Sequence, residues 1–593
     1  MSTPLIDVRG LHMAYGANHV LSGIDFSVGR GEVVGLLGPN GAGKTTTMDI
    51  LEGFRRPSSG EVSVLGEAPI SAGESWRARV GIVQQSWRDH AKWRVEELLD
   101  YLGSYYRPYA TTETVRPWPT RELLDIVGLA DSRDKQLRRL SGGQRRRLDV
   151  AVGIVGRPEL LFLDEPTAGF DPEARRDFQD LIGRLADEGA TILVTTHDLD
   201  EAEKISDRIL ILADGRIVAD GSPDPAAIAD RQHHGDHLDR RGRPPRPRRG
   251  GPRRVPARAP RGPGRADGRP GGPEVHPRGR VPESRETSRA GRGERDARAV
   301  RGPPGCGVGP GGGAMRNTLR SAWVQARIDL RTTILTPEIL LSLSLPIVLL
   351  VISWFLRDSL IDESTVSVAQ LMVPSMLGAM LLLGGFSGVA GELYQERDQG
   401  TILRMKCVPR GLTGYLTGKT ISTTLTTFLL VGVTLVLGSL LFEGVGPSSL
   451  RSWVLLAAFG ILGMAATVPW GAIVGAAIKT PIGLMLPILG VYGLLIVSGV
   501  FFPITVFPVW VQVIVQALPA YWLALGMRAA LLPDAAAVIE IGGSWRLVET
   551  FAVLGVWAVV GLLLAPIVLR RMIRGESGSK VTAARERLLT QGY

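Results

Sequence analysis

The chain changes character twice, and the spacing of its apolar positions shows where. Up to about residue 230, short apolar runs alternate with stretches of helical spacing. Val33–Leu37, Leu160–Leu163 and Thr191–Val194 are β-branched or leucine-rich, and each is followed by a turn or a helix. Such runs predict a largely parallel sheet covered by helices, an α/β fold. Residues 231–314 hold no Phe, Trp, Tyr or Ile and a single Leu, Leu238, amid dense Arg, Pro and Gly. So little apolar surface cannot offset conformational entropy, and disorder is expected there.

From Met315 the pattern becomes that of a membrane. Six apolar stretches follow, near 339–356, 368–390, 420–442, 453–478, 482–502 and 551–569. Each approaches or exceeds the roughly 20 residues that cross a bilayer as a helix. An all-α polytopic domain of six transmembrane helices is therefore expected over 315–593, after an N-terminal domain over 1–230 and a linker over 231–314. The shorter stretch Phe507–Leu518, with Pro508 and Pro519 at its ends, reads as a re-entrant or interfacial piece. Before the first span, Leu319, Trp323, Ala326, Leu330 and Ile334 recur at helical spacing with arginines on other faces. That stripe predicts a helix lying in the membrane interface.

Charge sharpens this picture. The net charge of +10 suggests nucleic acid until it is located: 231–314 carries 21 Arg, no Lys and 8 acidic residues, whereas the remainder has 47 basic against 50 acidic. The basic segment lacks aromatic platforms for stacking bases, so no specific nucleic-acid partner is expected. Basic residues otherwise collect before the first apolar stretch, between the second and third (Arg397, Arg404, Lys406, Arg410, Lys419), and after the fourth and sixth. This asymmetry puts both ends of the membrane domain in the cytoplasm, leaving few arginines outside, among them Arg451, Arg528 and Arg546. Residues 1–10 have no apolar signal-peptide core, and the N-terminal domain is expected to stay cytoplasmic. Two cysteines, Cys306 and Cys407, exclude a disulfide framework or a cysteine zinc site.

The chemistry lies in three motifs. Gly38-Pro39-Asn40-Gly41-Ala42-Gly43-Lys44-Thr45-Thr46 directly follows an apolar strand and fits the phosphate-binding loop. Its glycines let backbone N–H groups curl around phosphate oxygens at a helix N-terminus. Lys44 would reach the β- and γ-phosphates of ATP, and Thr45 would hold Mg²⁺. The apolar run Leu160–Leu163 ends in Asp164 and Glu165, suited to the Mg²⁺ side and to polarising the attacking water.

The third motif, Ser141-Gly142-Gly143-Gln144 after Leu140, carries a resemblance. With it, residues 5–222 resemble an ABC transporter ATPase, of which this run is the signature sequence. The resemblance implies that Tyr15 stacks on adenine, core packing being its alternative role. It also implies that Gln85 senses Mg²⁺ and the membrane domain; spacing from Val80-Gly81 favours it over Gln84. His197 resembles the switch histidine at the γ-phosphate, and Ala168-Gly169-Phe170-Asp171 the loop facing a partner ATPase, with Phe170 where Leu is usual. Because the signature serine completes the opposite subunit's site, the resemblance implies a homodimer with two sandwiched ATPs. Glu396-Arg397-Asp398-Gln399-Gly400-Thr401 resembles the coupling element of ABC-2 type permeases, with Asp398 where Glu is usual.

These features lead to an ATP-driven ABC-2 exporter in the bacterial cytoplasmic membrane, moving a hydrophobic or amphiphilic small molecule such as a drug or antibiotic. No acid–base chain is evident inside the six stretches, so ATP alone is the expected energy source. Export of a glycan or lipid-linked polymer is the alternative within transport; a non-transporting binding protein using the basic linker is the alternative outside it. The composition of 231–314, Arg without Lys amid Pro and Gly, matches GC-rich DNA read out of frame, with a passive or basic tether as the rival account. Sequencing across codons 225–320 is expected to reveal a frame change. An uninterrupted in-frame coding pattern there would leave the tether.

Overall fold

The computed structural model describes residues 3–84, 90–167, 170, 172–223, 312–361 and 366–575. The expected linker falls almost wholly outside these, as do Gln85, Ala168, Gly169 and Asp171. The N-terminal strands are β1 (Ile6–Tyr15), β2 (Asn18–Val28), β3 (Val33–Leu37), β4 (Ser59–Val64), β5 (Val80–Val83), β6 (Leu160–Asp164), β7 (Thr191–Thr196), β8 (Arg208–Ala213) and β9 (Arg216–Gly221). Its helices are α1 (Lys44–Leu51), α2 (Glu74–Arg77), α3 (Val95–Ser104), α4 (Thr120–Ile126), α5 (Gly142–Ile154), α6 (Pro172–Asp187) and α7 (Leu199–Ile205).

The strands form two sheets. One is antiparallel, in the order β2-β1-β4, and the other runs β5-β6-β7-β3-β8-β9. In the larger sheet β5, β6, β7, β3 and β8 are parallel, and β9 closes the edge antiparallel to β8. Every residue of β3, β5 and β7 is buried. Parallel strands covered on both faces need such continuous apolar runs. One side of the sheet joins β1, β2 and α1 in a core built on Leu11, Ile24, Leu36 and Phe162. The other side joins α3, α5 and α6 around Leu98, Leu148, Phe178 and Ile182. The carboxyl ends of β3, β6 and β7 are neighbours, which brings the three loops carrying the motifs to one edge.

The C-terminal half is helical: α8 (Gly312–Ile334), α9 (Glu338–Phe355), α10 (Val368–Leu382), α11 (Val389–Asp398), α12 (Thr401–Cys407), α13 (Gly411–Leu441), α14 (Leu450–Ala477), α15 (Pro481–Val497), α16 (Val509–Gln516), α17 (Pro519–Leu531) and α18 (Leu547–Gly575). A π turn, Leu383–Gly388, joins α10 to α11. All six expected apolar stretches are helical. Among the described residues, four helices are long and apolar enough to span: Val368–Asp398, Gly411–Leu441, Leu450–Ala477 and Leu547–Ile573. Two bent pairs bring the number to as many as six. Met315–Ile334 turns by 66° into Ile339–Phe355, and Val509–Gln516 turns by 84° into Pro519–Leu531. The second pair contains the stretch read as re-entrant. The fifth expected stretch gives a shorter apolar helix, α15, which stops at Val497 ahead of a left-handed turn at Gly499.

Two sequence expectations shift here. Arg528 is not in an outer loop but inside α17, 1% exposed, paired with Glu540 at 2.6 Å. Its guanidinium also donates to Ser375 Oγ and to the Gly499 carbonyl. In the α8 stripe, Leu319 and Trp323 face outward, but Ala326 is buried. The buried side of α8 combines small and neutral polar residues, Ser321, Ala322, Gln325 and Ala326, each at most 1% exposed. A helix that hides Ser and Gln while presenting Trp and Leu suits a lipid-facing position.

Helix α10 is the most enclosed span, and it crosses α17 at Gly378. A Cβ there would lie 2.7 Å from the backbone of Leu523 and Ala524, which cannot rotate away. Small residues at membrane crossings permit such approaches. Gly378→Ala is therefore expected to destabilise by about 1–3 kcal/mol. At Gly391, in α11, a Cβ meets nothing within 4 Å. Gly391→Ala should be neutral or stabilising by up to about 1 kcal/mol through helix propensity. Thermal unfolding in detergent measures both; shifts of the same sign would refute the close-approach account.

Candidate functional site

The phosphate-loop geometry follows from its glycines. Gly41 and Gly43 have φ of 85° and 109°, in the left-handed region that side chains disfavour. Gly43 is the N-cap of α1, and no side chain caps that helix. Its first N–H groups are left pointing at the loop, where an anion is favoured by both hydrogen bonding and the helix dipole. Lys44 folds back over the loop, donating to the carbonyls of Gly38 (2.7 Å) and Pro39 (3.3 Å). Its ammonium is 3.5 Å from Glu165 Oε1.

Two neighbouring strand ends complete the edge. Glu165, just past β6, has φ of 42° and donates its N–H to Thr195 O and Oγ1 of β7. His197, just past β7, places Nδ1 3.6 Å from the same Glu165 Oε1. Asp164 accepts from Thr195 Oγ1 at 2.6 Å. Burial pushes the Asp164 carboxyl above its usual range, Glu165 adds to the rise, and the Thr195 hydroxyl and nearby cations oppose it. Glu201 takes hydrogen bonds from both Thr196 and Thr167, tying the turn after Glu165 to the end of β7. Lys44, Asp164, Glu165 and His197 are thus brought together.

The other sequence-nominated residues lie around this centre. Thr45 is half-buried at the start of α1, and Thr46 is buried. Tyr15 ends β1 40% exposed, so it is not core; Arg55 stacks on it, 4.9 Å from the ring centre. Ser141 caps α5 in a reciprocal box with Gln144, each side chain accepting from the other's N–H at 3.2 Å. Ser141 and Gly142 are exposed. Among the described residues, no hydrogen bond or ion pair joins Ser141–Gln144 to Lys44, Glu165 or His197. Phe170 packs edge-on against Phe178, at 6.1 Å.

Residues 21–168 match the family model described as ABC transporter, and residues 312–567 that of the ABC-2 family transporter protein. A Nod factor export ATP-binding protein I of Ralstonia nicotianae is 41% identical over 223 residues, 37% of this chain and 68% of that protein. The chain belongs to the ABC transporter family. A daunorubicin/doxorubicin resistance ATP-binding protein of Streptomyces peucetius is 40% identical over 37% of this chain and 66% of its own length. A solved ATP-binding subunit of an ABC transporter is similar over 39% of this chain and 93% of its own, at 28% identity and a TM-score of 0.33. The transporter is an ATP-binding, ATP-hydrolysing exporter of the ABC-2 type, a multi-pass membrane protein whose ATPase is cytoplasmic.

In this ABC-2 transporter the two halves meet through α12 and α8. Met405, Val408 and Tyr415 complete the apolar core of α3 and α5. Glu74 accepts from the Arg410 N–H at 2.7 Å. Along α8, Gln325 accepts from Tyr101, Asn317 donates to the Ser104 carbonyl and Asp329 accepts from Trp93. At the centre, Arg404 lies 3.3 Å from Asp149 of α5, both nearly fully buried. Asp149 is also 3.9 Å from Arg145 and Arg146. Arg146 is buried as well, and donates to the carbonyls of Pro166 (2.7 Å), Gln84 (2.5 Å) and Asp164 (3.4 Å).

Sequence reasoning passed over Arg146, Asp149, Thr195 and Glu201. Three arginines follow Gln144 in succession, and helical spacing alone does not say which of them turns inward.

Removing one member of a buried ion pair typically costs about 3–5 kcal/mol. The cost here is unequal. Arg404→Met leaves Asp149 beside Arg145 and Arg146 and should fall below that range. Asp149→Asn leaves three cations facing one another and should reach it. Melting temperatures of the two variants in one detergent check the order; an equal or reversed order would show that Asp149 does not hold the cluster together.

Proposed function

We propose that this exporter works as a homodimer and moves a hydrophobic or amphiphilic compound outward across the cytoplasmic membrane. Each chain carries one phosphate loop and one signature run. Among the described residues no hydrogen bond or ion pair joins the two within one chain, so two ATPs would each be held between one chain's Lys44 loop and the partner's Ser141. The loop from Gly38 to Thr46 takes the phosphates on its backbone N–H groups, all but the Pro39 position having one, while Lys44 takes their outer charge and Tyr15 the adenine in place of its stacked Arg55. Gly142, Gly143 and Gln144 shape the opposing face. Glu165 orients and polarises the attacking water, His197 braces it beside the γ-phosphate, and Gln85 links the site to the membrane half.

Mg²⁺ fits this site. Thr45 and Asp164 offer hard oxygens, and Asp164 carries a charge that burial alone disfavours, which a cation would relieve. The ion's part is to neutralise charge on the phosphate oxygens. Export of a hydrophobic or amphiphilic substrate draws support from the relatives named for daunorubicin resistance and for Nod factor export.

The Arg404–Asp149 pair carries the coupling argument. It plugs the membrane half into α5, the helix that begins at Ser141. ATP-driven closure across Ser141 therefore moves α12.

The test is ATPase turnover of the full chain in lipid nanodiscs. Glu165→Gln should lower it by about a hundredfold or more, and an amphiphilic drug should raise the unaltered rate. Turnover that persists in Glu165→Gln would remove Glu165 from its role. Absence of stimulation by any amphiphile would remove the substrate class. The dimer has its own test. Lys44→Ala and Ser141→Arg chains, each inactive alone, should regain ATP trapping when co-assembled, because one composite site is then intact. No recovery in verified mixed dimers would refute the sandwich.

A further inference from the structure

A cleft of about 860 Å³ lies at the junction of the two halves, unused by anything described above. One wall is the segment from Ala130 to Arg139, just before Ser141. The opposite wall is the corner where α8 ends and α9 begins, from Arg331 to Pro337, and Lys92 and Arg94 also line it. The lining holds seven basic side chains against Asp131 and Asp134.

Some of that charge is spent within the protein. Arg94 pairs with Asp134 at 3.1 Å, Arg133 with Glu96, and Arg331 with Glu97. Lys135, Arg138 and Arg139 are different. All three are exposed. Lys135 donates to Ser132 Oγ and Arg138 to Gln136 Oε1, both neutral. None of the three has a carboxylate partner among the described residues.

The position of the cleft selects its ligand. Helix α8 presents Leu319, Trp323 and Ile334 outward beside the exposed Arg316, Arg320 and Arg327, then turns by 66° into α9, where Leu340 and Leu341 are 66% and 75% exposed. A helix lying with its apolar face out and bending into an apolar span marks the depth at which hydrocarbon gives way to headgroups. Leu335, 75% exposed, and Pro337 stand at that corner and line the cleft itself. The cleft thus offers unpaired cations on one wall and an apolar lip on the other. That combination suits an amphiphile with an anionic head better than a soluble anion, which would gain nothing from the lip.

We infer that this cleft binds the phosphate headgroup of an anionic phospholipid of the cytoplasmic leaflet, its acyl chains lying along Leu335, Leu340 and Leu341. The inference needs the membrane placement of α9 and not the identity of the exported compound. Lys135, Arg138 and Arg139 take the phosphate. A bound headgroup then holds the segment before Ser141 against the membrane corner, making the signature run responsive to lipid charge.

Near an anionic surface each such cation is worth about fivefold in affinity, so the three together give on the order of a hundredfold. The test is native mass spectrometry of the full chain in detergent, titrated with phosphatidylglycerol or with phosphatidylcholine. Phosphatidylglycerol should bind preferentially, and Lys135→Gln/Arg138→Gln/Arg139→Gln should lose that preference by on the order of a hundredfold. The charge-keeping Lys135→Arg/Arg138→Lys/Arg139→Lys chain should retain it, and millimolar inorganic phosphate should not displace the lipid. Equal binding of the two lipids, or an unchanged preference in a folded Gln variant, would overturn the inference. Displacement by inorganic phosphate would overturn the lipid as ligand and make the cleft a site for soluble phosphates. If the Gln variant fails to fold, the lipid comparison and the phosphate competition still decide.

Discussion

Arg404 and Asp149 face each other 3.3 Å apart with almost no exposure to water, and the way the two halves work together depends on them. Desolvating an arginine and an aspartate costs several kcal/mol each, an expense that close pairing recovers only with good geometry. Undocked, both would return to water, so the pair is compatible with the docked arrangement and with little else. Its partner side is also rigid. Asp149 stands one turn from Arg145 and Arg146, and Arg146 is clamped by the carbonyls of Gln84, Asp164 and Pro166. The end of β6 that carries the carboxylates, the segment leading towards Gln85 and the helix capped by Ser141 therefore share one buried anchor. The end of β6 cannot shift far without disturbing Arg146 and, through Asp149, the Arg404 of α12.

The polar side of α8 adds a second attachment of a different kind. Its bonds to Ser104, Tyr101 and Trp93 are neutral or singly charged and lie along α3 and the residues just before it. Each is worth about 1 kcal/mol net, so together they orient α8 and do not lock it. The exposed side of the same helix sets Leu319, Trp323 and Ile334 beside Arg316, Arg320 and Arg327, an amphipathic surface suited to the membrane interface. One helix thus reads the ATPase on one side and the bilayer on the other.

How much of this was legible beforehand divides along physical lines. The phosphate loop, Asp164 and Glu165 could be read because their chemistry is local: strand, turn and helix start lie within a few consecutive residues. The parallel sheet was legible because both its faces are buried and its strands are therefore continuously apolar. Arg404 and Asp149 were not, since 255 residues separate them and each looks like an ordinary charge on a helix. Arg528 misled for a related reason. Charge counting treats an arginine between apolar stretches as loop, but its partner Glu540 lies 12 residues on and turns it inward. Ala326 sat on the periodic stripe and still went to the buried face, which it shares with Ala322, Ser321 and Gln325, because that face meets Tyr101 and Ser104 of α3.

Those two buried arginines also bear on how closure at the ATPase can reach the outer leaflet. Helices α10 and α11 form one continuous span of 31 residues, Val368–Asp398, about 46 Å long at about 1.5 Å per residue. Its cytoplasmic end turns at Gly400, with φ of 82°, directly into α12 and Arg404. Near its outer end Ser375 accepts from Arg528, which is itself held by Glu540 and the Gly499 carbonyl. A stiff rod anchored at each end by a desolvated arginine cannot absorb a push by bending loosely at its tips. The place where it is least regular is the π turn Leu383–Gly388, in the middle of the span. Such turns are single-turn interruptions of the helical ladder and are frequent at functional positions. A displacement imposed at Arg404 would therefore carry the outer anchor with it or be taken up at Leu383–Gly388 or at Pro374 inside α10, and each outcome changes the packing of the span at the heart of the membrane domain.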